Sequence, residues 1–174
     1  MAILSIITAP DPRLKIVSAP VEQVDSELRK LMDDMLETMY AAPGIGLSAI
    51  QVGVPKRVIV VDVTSEGKTR APLRLVNPEI VWTGSETVNY EEGCLSLPEQ
   101  YAEVERAAAI RVRYLDDNGA PREIAVETLL ATCIQHEMDH LDGILFVDHL
   151  SAVRRSIILR KLAKARRTKA LKSA

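Results

Sequence analysis

The feature that most constrains this chain is a pair of histidines four residues apart, His136 and His140, in a segment rich in apolar residues. The apolar spacing of residues 129–141 is typical of a core helix, and Gly143 closes it. Residues four apart lie on one helical face, so both imidazoles can reach one metal ion. Glu137, beside the first histidine, can then act on water as a general base. Buried histidine and glutamate need a partner, and a metal ion is one such partner.

A third metal ligand has to come from elsewhere in the chain. One class of zinc protease has a third histidine six residues after the motif, but Phe146 occupies that position. A second class uses a downstream glutamate, and no glutamate follows Glu137. Cys94 remains, and a thiolate is a good ligand for zinc or ferrous iron. Cys133, three residues before the motif, is better interpreted as a packing residue.

Hydrophobic periodicity predicts an α+β layout in a single domain of 174 residues. Helices are predicted over 26–41, 129–141 and from Ser151 onward, the last with an apolar side of Val153, Ile157, Ile158, Leu162 and Ala165. Strands are predicted over 57–63, 73–81 with an interruption at residues 77–78, 86–90, 109–115 and 122–126. The Asp-Asn-Gly sequence at 117–119 predicts a hairpin between the last two strands.

The charge is distributed unevenly along the chain. Residues 151–174 hold nine basic side chains and no acidic one, whereas the first 150 residues hold 13 basic and 24 acidic side chains, a formal net charge of −11. A basic tail of this kind often binds a polyanion such as RNA. A solvated helix that balances the charge of the body explains the composition equally well, and both interpretations stay open.

Composition excludes several other classes of protein. With 47% apolar residues and a net charge of −2, the chain is typical of a folded domain rather than a disordered segment. No apolar run approaches the ~20 residues of a membrane span. The apolar residues 2–9 are too few for a signal peptide and lack a preceding basic region. We therefore expect a cytoplasmic protein with two reduced cysteines and no membrane association.

A glycine-rich segment at 44–51 follows a helix and precedes a strand, which is the reverse of a nucleotide-binding loop. Alone it is explained by a turn or by close backbone approach to a ligand. Taken with residues 92–96 and 135–140, it resembles, in order and approximate spacing, the three motifs of the peptide deformylase family. The resemblance extends from the Pro-Asp-Pro at 10–12 to residue 146.

The resemblance implies antiparallel or mixed sheets packed around a central metal-binding helix, with a C-terminal helix. It also implies removal of the formyl group from the N-terminal formyl-methionine of new polypeptides, with release of formate. The implied metal ligands are Cys94, His136 and His140, which hold one divalent ion. That ion is Fe²⁺ in the cell, with Zn²⁺, Ni²⁺ or Co²⁺ as alternatives in purified protein.

The resemblance further assigns roles around the metal. Glu137 takes a proton from the attacking water and passes it to the leaving amine, while the Leu95 backbone N–H and the Gln51 side-chain amide stabilise the oxyanion. The implied substrate-binding residues surround the methionine side chain and the peptide backbone: Ile45, Gly46, Tyr90, Glu92, Gly93, Leu129, Thr132 and Cys133. Arg106 matches an arginine of the family, and we expect it to pair with Asp139.

Four positions depart from the family pattern, namely Ser48, Ile50, Tyr101 and Thr132. Tyr101 stands where many members have an arginine that meets the substrate backbone. One alternative is therefore a degenerate family member that binds peptide or ribosome without catalysis. Another is a peptidase that cuts internal bonds, which the missing third histidine or glutamate argues against.

The resemblance also bears on partners. In relatives a C-terminal helix docks near the ribosomal tunnel exit, and the basic residues 154–172 suit the phosphates of ribosomal RNA. Formyl-methionyl nascent peptides are the expected substrates. We expect a monomer, because no apolar surface stripe is left over.

Overall fold

Two antiparallel sheets and three α-helices build the part of the chain, residues 2–173, that this computed structural model describes. The larger sheet has the order β1-β2-β3-β6-β7, with β1 (Gly46–Ser48), β2 (Val58–Val61), β3 (Leu73–Thr83), β6 (Ala109–Leu115) and β7 (Pro121–Glu127). A separate hairpin joins β4 (Thr87–Cys94) to β5 (Leu97–Ala107). The helices are α1 (Ser26–Ala41), α2 (Thr128–Leu141) and α3 (Ala152–Lys172). The predicted α+β class is confirmed.

The helices begin and end where capping residues predict. Asp25 accepts a hydrogen bond of 2.8 Å from the Leu28 N–H at the start of α1, which covers the predicted residues 26–41. Ser151 caps α3 in the same way. Gly143 follows α2 with a φ of +73°, and a Cβ there would lie 2.6 Å from the Lys15 carbonyl oxygen. Only glycine fits this left-handed position and close approach.

The core lies on both sides of β2, whose four residues are all buried. Val58 and Val60 pack with the apolar face of α1, whereas Ile59 and Val61 pack with α2. Successive side chains of a strand point to opposite faces, so this β-branched run fills two layers at once. The sheet is thus covered by α1 on one face and by the metal-motif helix on the other.

The predicted interruption of β3 is a bulge rather than a strand end. Asn77 has a φ of +50°, and its side chain exchanges two hydrogen bonds of 2.8 Å with the backbone of Val21. Strand β3 then continues to Thr83, beyond the predicted residue 81. The register of its ladder with β6 shifts at this point.

Two strands were not predicted. Strand β1 is a three-residue edge strand within the glycine-rich segment, antiparallel to β2. Strand β5 pairs with β4 at residues 101–107 and again at Leu97, but of its eleven residues only Leu97, Val104 and Arg106 are buried. Its proline and four charged side chains hide the alternation that signals a strand.

A third core cluster anchors the C-terminal helix. Ile158 and Leu162 of α3 pack with Phe146 and with Leu97 of β5. The wider apolar side predicted for α3 is wrong, because Val153 is 70% exposed and Ile157 is 41% exposed. Among residues 2–173, no helix has both the length and the apolar character needed to cross a membrane.

Candidate metal centre and active site

Helix α2 places His136 and His140 one turn apart, with ring centroids separated by 5.1 Å and ring planes at 69°. Both side chains are buried. On its other side the His136 ring stacks on Phe146 at a centroid distance of 6.3 Å. The apolar Phe146 ring thus supports the first histidine, at the sequence position where one class of zinc protease has a third histidine ligand.

Cys94 reaches the two histidines from the end of β4. The β4–β5 register shifts between Gly93 and Cys94, so that Cys94 pairs with Leu97 across a tight turn. The Cys94 Sγ then lies 3.3 Å from the His140 Nε2. One ligand atom from each of Cys94, His136 and His140 falls within 4.8 Å of the others. The structure therefore brings together the three residues that the sequence predicted to bind metal.

The chemistry of this cluster fits a divalent transition metal. A sulfur and two imidazole nitrogens are ligands that zinc and ferrous iron accept, and three protein ligands leave a coordination position open. Burial is the main cause that lowers the pKa of His140, which favours the neutral imidazole that metal binding requires. The buried His140 Nδ1 and Glu137 Oε2 have no hydrogen-bond partner among residues 2–173.

Glu92 and Arg106 form a buried ion pair behind the cluster. Glu92 Oε2 lies 2.8 Å from His136 Nδ1, which leaves the Nε2 of that ring for a metal. Arg106 donates to both carboxylate oxygens of Glu92 and, at 2.8 Å, to Asp139. The predicted Arg106–Asp139 pair is confirmed. Burial alone would raise the pKa of Glu92, but hydrogen bonds from His136 and Arg106 lower it to about 2.

Glu137 points into the same buried space. Its Oε1 lies 4.0 Å from His136 Nε2. Burial raises the pKa of Glu137 to about 7, where a carboxyl group can both take and give a proton near neutral pH. A Cβ at Gly46 would lie 2.5 Å from Glu137 Oε1 and 2.9 Å from the Cys133 Sγ. Only glycine at position 46 leaves room for both side chains.

Gln51 is held in a single orientation beside Cys94. Its Oε1 accepts hydrogen bonds of 2.9 Å from both the N–H and the hydroxyl of Ser48. The amide NH₂ is therefore directed the other way, 3.0 Å from the Ser96 Oγ and 3.6 Å from the Cys94 Sγ. Ser48, a departure from the family pattern, thus fixes the side chain that the sequence predicted as an oxyanion donor. Sequence reasoning did not identify Ser96 as a partner of Gln51.

A cavity of about 520 Å³ opens beside the cluster. It is lined by all eight residues predicted to bind substrate and by Cys94, Leu95, His136 and Glu137. It is also lined by residues that the sequence did not single out for this purpose: Ala42, Pro43, Gly44, Glu91, Pro98, Glu99 and Tyr101. The hydroxyl of Thr132 is buried in this wall and finds no hydrogen-bond partner in the described part of the chain. The Cys133 thiol contacts the Ile45 carbonyl oxygen at 3.4 Å. Burial raises the pKa of Cys133, which keeps its thiol neutral.

The remaining departures from the family pattern lie in different environments. Ile50 is buried and Tyr101 is 64% exposed. Tyr101 stands opposite Gly93 on the hairpin, where its ring would contact any Cβ at that glycine. It therefore forms part of the cavity rim without a positive charge.

Comparison with known proteins agrees with this geometry. A family model described as polypeptide deformylase matches residues 3–156. A peptide deformylase from Phenylobacterium zucineum is 60% identical over 164 residues, which is 94% of this chain and 97% of that protein. A crystal structure of peptide deformylase from Ehrlichia chaffeensis superposes with a TM-score of 0.93 at 43% identity, covering 97% of this chain and 99% of that one. A second structure of the deformylase from that organism, in complex with actinonin, gives a TM-score of 0.91 at 45% identity, covering 95% and 98%. The chain belongs to the polypeptide deformylase family.

Proposed function

We propose that this protein is a metal-dependent hydrolase that removes the formyl group from the N-terminal formyl-methionine of newly made polypeptides and releases formate. The observation that carries the proposal is the position of Glu137, a buried acid with one oxygen unpartnered among residues 2–173. It lies beside the Cys94–His136–His140 cluster and lines the same cavity as Cys94 and His136. Amide hydrolysis needs an activated water, a proton carrier and oxyanion donors, and family membership supports this reaction over others.

Cys94, His136 and His140 would hold the metal. When bound, a divalent ion supplies a Lewis acid that lowers the pKa of water to near neutrality. Ferrous iron is our proposal for the ion in the cell, with zinc, nickel or cobalt able to replace it in purified protein. The mixed sulfur and nitrogen donor set supports this range, since each of these ions accepts both donor types.

Glu137 is the proposed general base and acid. It removes a proton from the water that attacks the formyl carbon, and it later gives that proton to the leaving amine. The pKa of about 7 that burial gives this carboxyl supports both steps. Gly46 supports both proton transfers too, because it has no side chain that would displace the Glu137 carboxylate.

Gln51 and Leu95 are the proposed oxyanion donors. The two hydrogen bonds from Ser48 direct the Gln51 NH₂ toward Cys94, so this donor is oriented before substrate arrives. Leu95 follows Cys94 in the turn between β4 and β5, which brings its backbone to the cavity. Loss of one such donor typically lowers kcat by ~10²–10³.

The substrate binds in the cavity in an extended form. Strand β1 pairs only with β2, and Gly46 of its free edge lines the cavity. An extended peptide can therefore hydrogen-bond to this edge on one side and to the backbone near Gly93 on the other. The methionine side chain would lie in the part of the cavity that is lined by Ile45, Tyr90, Glu92, Leu129, Thr132, Cys133 and His136.

Helix α3 is the proposed contact with ribosomal RNA. Its nine basic side chains lie between residues 154 and 172, and its only buried residues are Ile158 and Leu162. Most of the helix surface is thus free to meet phosphates, and such contacts weaken steeply with salt. Nascent chains as substrates also support a cytoplasmic enzyme, which we propose acts as a monomer.

The reaction is tested by measuring formate released from formyl-Met-Ala-Ser by protein prepared without oxygen and loaded with Fe²⁺, Ni²⁺ or Zn²⁺. Acetyl-Met-Ala-Ser and a peptide blocked at both ends serve as matched controls. We expect formate from the formyl peptide and no cleavage of either control. Cleavage of the blocked peptide at an internal bond, or metal-loaded protein that releases no formate, would overturn the proposal.

A further inference from the structure

A line of four polar contacts connects the surface residue His149 to the Cys94–His136–His140 cluster, called the metal cluster below because these side chains are the proposed metal ligands. His149 Nε2 lies 2.7 Å from Asp139 Oδ2, and the same oxygen accepts a hydrogen bond of 2.8 Å from Arg106. Arg106 donates in turn to Glu92, with its Nη2 3.0 Å from Oε2. That oxygen lies 2.8 Å from His136 Nδ1. The line therefore ends on a residue of the metal cluster.

The inner part of this line is rigid because it is buried. The side chains of Arg106 and Glu92 are each 5% exposed, and that of His136 is 9% exposed. Charged groups at such depth need close partners, and hydrogen bonds in series strengthen one another there. The outer part is less constrained, since the side chain of Asp139 is 20% exposed and that of His149 is 37% exposed.

Asp139 is the point where the line could loosen. Its carboxylate can rotate toward water, and Arg106 would then lose one of its two carboxylate partners. His149 opposes this rotation because it binds the same oxygen that Arg106 uses. The contact requires only a hydrogen on Nε2, which the imidazolium and one neutral tautomer both carry.

We propose that His149 is a positioning residue of the deformylation site. By holding Asp139 against Arg106 it keeps Glu92 on the Nδ1 of His136, and so keeps the Nε2 of His136 turned toward the metal cluster. Outer partners of this kind typically change metal affinity by 10–100-fold when they are removed next to the ligand itself. His149 acts through three intermediate residues, so the expected effect is smaller. The predicted effect on turnover rests on the proposed function, whereas the predicted effect on metal loss does not.

The test compares two amide substitutions of similar polarity. In His149→Gln the side-chain NH₂ reaches the place of Nε2, whereas in His149→Asn it falls short. His149→Phe keeps the ring and removes the donor. Asp142→Asn is the matched control, since it weakens a side-chain ion pair with Arg57 at the same end of α2. The backbone hydrogen bond from the Asp142 N–H to the Asp139 carbonyl oxygen does not depend on this side chain.

The readouts are the rate at which bound Co²⁺ or Zn²⁺ is lost to a chelator, and kcat and KM for formyl-Met-Ala-Ser. We expect metal loss about 3–10-fold faster and kcat about 3–10-fold lower in His149→Asn and His149→Phe. KM should stay unchanged, because His149 does not line the cavity. His149→Gln and Asp142→Asn should behave like the wild type.

Two results overturn the inference. One is equal metal loss in His149→Gln and His149→Asn, and the other is a wild-type rate of metal loss in His149→Phe. Melting temperatures show whether each variant is folded, and the Gln–Asn comparison stands even if the phenylalanine variant does not fold. Failure of the wild type to release formate would count against the proposed function, while metal loss would still test the role of His149.

Discussion

Helices α2 and α3 are both anchored to the same body, but they use their surfaces in opposite ways. Helix α2 has 14 residues, of which eight are buried, whereas α3 has 21 residues, of which two are buried. In α2 single residue identities decide function, because each side chain has fixed neighbours. In α3 the total charge matters more than any single position. Substitutions should therefore have large local effects in α2 and small additive effects in α3.

The largest effect is expected from His140→Ala. The substitution removes one of the three proposed metal ligands and leaves Cys94 and His136, which do not complete the site. We expect the protein to lose its metal on dialysis and formate release to fall by ~10³-fold or more. Elemental analysis and the formate assay check this. An active variant with one metal per chain would show that α2 tolerates the loss of a ligand.

A smaller loss of activity is expected from Gly46→Ala. This substitution tests how closely strand β1 packs against α2. The added methyl group would lie within 3 Å of both Glu137 and Cys133, so one of them has to move. Overpacking of this kind costs about 1–3 kcal/mol of stability. Displacement of the carboxylate should lower kcat/KM by about 10–100-fold. Steady-state kinetics measures kcat/KM, and urea unfolding measures the free energy of unfolding. Wild-type values of both quantities in Gly46→Ala would contradict this prediction.

The attachment of α3 is tested by Asp148→Asn, which affects stability but not catalysis. Burial opposes ionisation of Asp148, but hydrogen bonds from Leu145 N–H, Lys15 and Arg155 lower its pKa to about 2. The folded-state pKa is below the unfolded value of about 4, so the carboxylate stabilises the protein above that value. This contribution is lost as the pH falls from about 5 to 2.

We expect Asp148→Asn to lower the free energy of unfolding by about 1–2 kcal/mol at pH 7, after allowance for partial exposure. The difference from the wild type should stay constant down to about pH 5 and shrink toward pH 2. Urea unfolding across this range measures it. A difference that grew on acidification would show that the ion pairs around Asp148 are not responsible.

The smallest effect on the isolated reaction is expected from neutralising the end of α3. Lys161, Lys164, Lys169 and Lys172 are exposed and form no ion pair with the described residues. Changing all four to glutamine should leave kcat/KM on a free tripeptide within about twofold. Co-sedimentation with ribosomes at low salt should fall, with a weaker salt dependence than the wild type. Unchanged ribosome binding would favour the charge-balancing interpretation of this helix.

Regular elements were predictable where local signals agree. In α1 a 3.6-residue apolar repeat, the Asp25 cap and the Pro-Gly at 43–44 all indicate the same bounds. Strand β5 was missed because only three of its eleven residues are buried, so no apolar alternation marks it. The apolar side of α3 was overpredicted. Periodicity shows which residues of a helix could be buried, but not how much of the helix contacts the rest of the protein.

The site was predictable as far as its chemistry depends on residue type. The paired histidines and Cys94 are identified by the ligands that metals accept, and Glu137 by its place beside the first histidine. The Arg106–Asp139 pair follows from the resemblance. Contacts made by tertiary folding were not predictable. The hydrogen bond from His149 to Asp139 and that from Gln51 to Ser96 join residues on separate elements, and no local pattern indicates them.

The most direct test of the account is formate release by Glu137→Gln beside the wild type, with metal content measured in both. Glutamine has the size of glutamate but cannot carry the proton, and Cys94, His136 and His140 remain in place. We predict one metal per chain in both proteins and a loss of formate release of about 10²–10⁴-fold in the variant. Metal-loaded Glu137→Gln that releases formate at the wild-type rate would contradict the central claim.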